Sequence, residues 1–196
     1  MFLFGFGFPA VSAAQSEGAG SLPPKTVDKK FFDSWKFQAG AIIGDLKETN
    51  ADDDLQIILF MGRFPHSLNT LLGLEDHKGT LSLVLEPFLG HILSPENAVM
   101  FGGGLFLEYA YPLTEKIMVR AGAGSGPSYF GADTTEEGHG GFEFFDSAGF
   151  GLDFTRDQLE GLSFDFRMVH ISDLSLREHN NGINGYAIVL GYNRKF

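Results

Sequence analysis

The chain has 196 residues, the size of a single domain, and carries a formal net charge of −11 with no cysteine. That charge argues against nucleic acid as a partner, since phosphate binding requires a basic face. Its 26 glycines and 21 phenylalanines are an unusual balance for a cytosolic enzyme. They suit a barrel, in which aromatic side chains face lipid and glycines relieve crowding on the inner wall.

The amino terminus predicts a secretory signal peptide over residues 1–14. A short apolar run, FLFGFGFPAV, is followed by small residues that offer cleavage near Ala13 or Ala14. The positively charged segment that usually precedes such a run is missing, which leaves the true start of the signal open. Residues 15–33 are rich in glycine, serine, proline and charge, and this composition predicts a flexible leader.

Strand-like segments then recur to the end of the chain. Each is about ten or more residues long, the length that a tilted membrane strand needs. After residue 14, no apolar stretch reaches the roughly 20 residues of a membrane helix. The predicted spans are 34–45, 54–65, 79–91, 97–110, 116–130, 140–155, 161–173 and 183–196. The sequence thus predicts an all-β fold over residues 34–196, an antiparallel eight-stranded up-and-down transmembrane β-barrel. A barrel of this size is filled by side chains, so we expect no pore.

Apolar and polar residues alternate along several of these segments, as strands with two different faces require. One face of the seventh segment carries Leu162, Phe164, Phe166 and Met168. The ionisable residues that the alternation places inside the barrel are Glu86, Glu108, Arg120, Asp165 and Arg167. The pattern fits both a water-soluble and a membrane barrel. The signal peptide and the aromatic last residue, Phe196, favour the membrane form.

The connections predict which end of the barrel faces the periplasm. Residues 111–115 and 156–160 predict tight turns there, whereas 45–54 and 132–139 are acidic and predict outer loops. Residues 65–78 are long for a periplasmic turn, and their leucines predict a short helix at the membrane interface.

A polar pair interrupts the lipid-facing row of the seventh segment. Continuing its alternation places His170 and Ser172 on the outward face, near the extracellular end. Polar groups on such a face are costly, and a lipid substrate is the simplest reason for them. Asn184 of the next segment can meet them across the hairpin. A serine activated by a histidine that a third group orients would hydrolyse an ester. The alternative is that the pair merely sits in the lipid headgroup belt.

Other motifs carry no comparable signal. Residues 122–126 are glycine-rich but follow no strand-to-helix pattern, so inner-wall glycine explains them better than nucleotide binding. The acidic run 52–54 lacks the glycine and late glutamate of a calcium-binding loop. The remaining histidines show no metal-ligand spacing. We therefore expect neither a metal nor a cofactor.

The segment from His170 to Tyr186, HISDLSLREHNNGINGY, resembles the signature of the lipid A 3-O-deacylase (PagL) family. The resemblance implies an eight-stranded barrel in the Gram-negative outer membrane, whose serine triad faces the bilayer. It implies removal of the acyl chain ester-linked at position 3 of lipid A, so the partner is lipopolysaccharide in the outer leaflet. The family's nucleophile and base then correspond to Ser172 and His170, and Asn180 to an asparagine associated with the oxyanion hole.

Two positions depart from the family pattern. Asn184 stands where the family's triad has glutamate, and Asp173 where an asparagine usually follows the serine. Either Asn184 orients the histidine without charge, or Glu178 from the loop replaces the acid. The alternative function is a non-catalytic small outer-membrane barrel of the same family with a degraded triad. The sequence leaves open the acyl-chain preference, the role of residues 45–54 and the oligomeric state, with a homodimer as one alternative.

Overall fold

The computed structural model describes five parts of the chain: residues 31–45, 54–134, 140–156, 160–173 and 182–195. They contain eight strands and one short helix. The strands are β1 (Ser34–Asp45), β2 (Leu55–Ser67), β3 (Thr80–Ser94), β4 (Ala98–Pro112), β5 (Ile117–Phe130), β6 (Gly141–Thr155), β7 (Glu160–Ser172) and β8 (Ile183–Lys195); the helix, α1 (Asn69–Leu72), lies between β2 and β3.

Every strand pairs antiparallel with the next, and β8 pairs with β1, so that the sheet closes into a barrel. The predicted all-β, eight-stranded up-and-down barrel is confirmed, and each strand boundary lies within three residues of its predicted position. The predicted signal peptide and the leader as far as residue 30 lie outside the described residues.

The outer face of the barrel is apolar, as the alternation predicts. Leu162 of β7 and Leu190 of β8 lie on neighbouring strands, with 63% and 62% of their surface exposed. Leu105, Leu107 and Tyr109 of β4 are exposed in the same way. In a membrane barrel such residues contact lipid rather than water, which is why their exposure is not a defect.

The lumen has two zones. Toward the end with the short turns, the charged residues predicted to face inward are buried and form a continuous set of ion pairs. These join Lys36 to Asp153, Arg63 to Glu86 and Glu108, Arg120 to Glu108, Asp153 and Asp165, and Arg167 to Glu86 and Asp165. Because each buried charge has an opposite partner, the barrel can hold them away from water.

Toward the opposite end, the lumen is filled by an apolar cluster. It includes Leu55, Ile57, Phe145, Ile171 and Val189, all nearly inaccessible. Among the lumenal charges, one cavity measures about 20 Å³, and a wider one of about 390 Å³, lined by Lys36, Glu108 and Asp153, lies at the end with the short turns. The apolar cluster lies behind the outer ends of β6, β7 and β8. The side chains on the outward face of these ends are therefore supported by a tightly packed interior.

The connection between β2 and β3 is long and structured. The side chain of Asn69 donates to the carbonyls of Leu74 and Gly79 and accepts from the amide of Leu81. The predicted short helix is present as α1, and Leu71 within it is 81% exposed. Among the described residues, no helix is long and apolar enough to cross a membrane.

Candidate active site

Two predicted site residues, His170 and Asn184, lie toward the outer ends of neighbouring strands, and a third polar residue, Asp146, lies beside them. His170 of β7 is directly opposite Asn184 of β8 in the strand register, and directly opposite Asp146 of β6 on its other side. All three side chains belong to the outward rows of their strands, among exposed neighbours such as Met168 and Tyr186. The strand alternation therefore brings a histidine, an amide and a carboxylate into one row across the outer wall.

One contact in this row is a direct hydrogen bond. The Nδ1 atom of His170 lies 2.9 Å from Oδ1 of Asn184. An amide oxygen only accepts, so Nδ1 donates its N–H to this oxygen and Nε2 keeps the lone pair. The bond thus holds the tautomer in which His170 offers Nε2 as a base.

Gly182 shapes the space around the imidazole. It precedes β8 with a φ of 65°, in the left-handed region that favours glycine. A Cβ atom at this position would stand 2.3 Å from Cε1 and 2.9 Å from Nε2 of His170. A side chain at position 182 would therefore displace the imidazole ring of His170.

Ser172 shares the outward parity of His170 but is covered. Only 6% of its surface is exposed, and in the β6–β7 register it lies opposite Phe144, whose ring meets that of Phe142 edge-on with centroids 5.3 Å apart. No hydrogen bond joins Ser172 to His170 within the described residues. Ser172 therefore keeps the outward parity that the sequence predicts, but its side chain is covered rather than exposed.

A groove runs beside the row, across the seam where β8 meets β1. It has a volume of about 370 Å³, and its walls include Ile43, Asp54, Met168, Asn184 and Tyr186. Apolar side chains form most of the wall, and the amide of Asn184 is a polar group at its edge. Such a groove suits a hydrocarbon chain that carries a polar linkage at one end.

The remaining predicted site residues divide into two groups. Asn180 and Glu178 lie outside the described residues. Asp173 is buried, with 1% of its surface exposed, on the inward parity that the sequence predicted. Sequence reasoning missed Asp146. The signal was available, because Asp146 is the sole charged residue in the outward row of β6, between Phe144 and Ala148.

Solved structures similar to this chain are outer-membrane barrels. The crystal structure of the outer membrane enzyme PagL matches with 16% identity and a TM-score of 0.57, covering 81% of this chain and 99% of that chain. The crystal structure of Neisserial surface protein A matches with 10% identity and a TM-score of 0.59, covering 83% of this chain and 96% of that one. At these identities the likeness concerns the fold. No curated protein sequence matches the chain.

The family assignment comes from the sequence itself. The family model described as lipid A 3-O-deacylase (PagL) matches residues 69–193, well over half of the 196 residues. The match runs from the start of α1 to Asn193 in β8 and includes the row that contains His170 and Asn184. The chain belongs to the lipid A 3-O-deacylase (PagL) family, whose members are β-barrels of the Gram-negative outer membrane.

Proposed function

We propose that this chain is an outer-membrane esterase that hydrolyses the 3-O-linked acyl chain of lipid A by a serine–histidine mechanism. The observation that carries the proposal is the 2.9 Å contact of His170 Nδ1 with Asn184 Oδ1, two residues along the strand from Ser172. This contact leaves Nε2 as the base in a family of lipid A deacylases. No metal or cofactor enters the proposed reaction.

In the proposed reaction, His170 Nε2 takes the proton of the Ser172 hydroxyl as its Oγ attacks the ester carbonyl carbon. The tetrahedral intermediate collapses when the C–O bond to the sugar breaks, and His170 returns its proton to the leaving sugar oxygen. Water, activated by the same histidine, then cleaves the acyl-serine and releases the fatty acid. Asn180 is the proposed donor to the oxyanion.

The location of the row supports a lipid as the substrate. The side chains concerned are on the outward wall, whereas the lumen directly behind them is occupied by the apolar cluster. A substrate that lies in the outer leaflet reaches the outward wall without leaving the membrane. The groove bounded by Ile43, Met168 and Tyr186 can then hold its acyl chain.

The proposal is tested by expressing the chain in a Gram-negative host and measuring its lipid A by mass spectrometry. We expect loss of the 3-linked hydroxyacyl group with the wild-type chain, and no loss with Ser172→Ala or His170→Ala. Because the members of a triad act as a unit, the double variant is expected to be barely worse than either single one.

Two variants on the same outward wall serve as matched controls. Ser125 is exposed on β5, and His91 is exposed on β3. Ser125→Ala and His91→Ala should leave deacylation unchanged, and all variants should keep the heat-modifiable gel migration of a folded barrel. Unmodified lipid A with a folded wild-type chain would favour the non-catalytic alternative. Deacylation by folded Ser172→Ala would rule out Ser172 as the nucleophile.

A further inference from the structure

The proposed triad lacks a negative charge at its third position. In a Ser–His–acid triad, the carboxylate both holds the histidine tautomer and stabilises the imidazolium that forms when the serine loses its proton. Asn184 performs the first task through its bond to Nδ1 of His170. A neutral amide cannot perform the second. A triad built with Asn184 therefore needs another source of negative charge near His170.

Asp146 occupies the position that could supply it. In the sheet register, His170 lies between Asn184 on β8 and Asp146 on β6. Directly opposed residues of an antiparallel pair have Cβ atoms about 4.5–5.5 Å apart, with side chains on the same face. Asp146 is half-buried and shares the outward face with Phe142 and Phe150, which are 53% and 54% exposed. The register therefore places Asp146 next to His170, on the strand opposite the one that carries the amide.

The other aspartates of β6 and β7 have a different role. Asp153 and Asp165 face the lumen, where they are ion-paired with Lys36 and Arg120. Asp146, by contrast, has no hydrogen-bond or ion-pair partner among the described residues. A carboxylate in an otherwise apolar, lipid-facing row is costly unless something compensates for it. The imidazolium of His170 would compensate for it during the reaction.

We propose that Asp146 is a positioning residue that stabilises the protonated His170, so that two side chains share the work of one triad acid. Asn184 fixes the tautomer, and Asp146 supplies the charge. This inference rests on the proposed esterase function. Opposite charges on neighbouring residues attract each other more strongly where lipid excludes water, and we expect the carboxylate to contribute about 100-fold to kcat.

The test uses purified, folded barrels in detergent with lipid A as the substrate. Asp146→Asn keeps the shape of the side chain and removes its charge; it should lower kcat by about 100-fold and leave KM nearly unchanged. Asp146→Glu keeps the charge and should retain most of the activity. Asp76→Asn, at an exposed aspartate in the β2–β3 connection, is the matched control for loss of one charge and should be fully active.

The decisive measurement places Asp146→Asn in the Asn184→Glu background. A glutamate at position 184 restores the charge, so the cost of losing the Asp146 carboxylate should fall to about threefold or less. An equal loss in both backgrounds would mean that Asp146 acts only through structure, and would overturn the proposal. Full activity of Asp146→Asn alone would also overturn it. Retained activity in Ser172→Ala would instead contradict the proposed serine mechanism. The same assay therefore separates failure of the proposed function from failure of the proposal for Asp146.

Discussion

The hydrogen bond between His170 and Asn184 joins the imidazole to a neutral amide. Where an amide replaces the acid of a related triad, turnover falls by on the order of 10⁴, mainly because the histidine adopts the wrong tautomer. Here Oδ1 of Asn184 accepts from Nδ1 of His170, which is the useful tautomer. In the proposed triad, this orientation of the amide is expected to avoid much of that cost.

This arrangement leads to a prediction about three variants. Asn184→Ala should lower deacylation by about tenfold, the factor that corresponds to one neutral hydrogen bond. Asn184→Glu should preserve or raise activity because it adds charge without losing the acceptor. Glu178→Ala should change little, since Asn184 already occupies Nδ1 of His170.

These variants are compared as initial rates on purified lipid A in one detergent. An inactive Glu178→Ala together with a normal Asn184→Ala would place the acid in the loop and contradict the geometry proposed for the site.

At the scale of the element, the entry into β8 determines whether the imidazole has room. Gly182→Ala would add a Cβ that stands 2.3 Å from Cε1 of His170, in a backbone conformation with a φ of 65°. The backbone strain costs about 1–2 kcal/mol, which a stable barrel can tolerate. We expect a folded variant with severely reduced deacylation, measured with lipid A after the gel shift has confirmed folding.

Gly73 provides the matched control for this prediction. It has a φ of 66°, but a Cβ there would meet nothing within 4 Å. Gly73→Ala should therefore carry the same backbone strain without loss of activity. Equal activity losses in the two variants would show that strain alone, and not the contact with His170, explains the effect.

The strands were predictable because a membrane strand has a period of two and a nearly fixed length. Both properties can be recognised in the sequence of one strand, without knowing which strands it pairs with. Asp146 was equally accessible to that reasoning, as a single charge in the row that contains Phe144 and Ala148. The side-chain rotamer that brings Nδ1 of His170 to Asn184 could not be predicted from the sequence pattern. It depends on the space left by Gly182 across the hairpin, which alternation does not encode.

At the scale of the whole molecule, the lumenal ion pairs tie strands together that are distant around the barrel. Glu86 of β3 is fully buried and accepts from Nε of Arg63 on β2 and from Nη1 of Arg167 on β7, each at 2.5 Å. The bond to Arg63 links two neighbouring strands, whereas the bond to Arg167 crosses the interior from β3 to β7. The barrel is thus held by its wall and by links through its centre.

Glu86→Gln should destabilise the barrel strongly, because it leaves two buried guanidinium groups without their shared counter-charge. Removing one partner of a buried pair typically costs about 3–5 kcal/mol. The temperature at which the compact gel band converts to the unfolded one should fall clearly. Glu75→Gln, an exposed site in the β2–β3 connection, should not shift it. A Glu86→Gln barrel as heat-resistant as wild type would indicate that the lumenal charges add little to stability.

The groove beside the site is bounded by Ile43 from the first strand and by Asn184 and Tyr186 from the last. Neither strand forms that wall by itself. Its two sides meet only when β8 pairs with β1, which is the step that turns an open sheet into a barrel. If the groove holds the acyl chain of the proposed substrate, a chain that has not yet closed has no place for it. Under the proposed function, barrel closure and completion of the substrate site are then the same event.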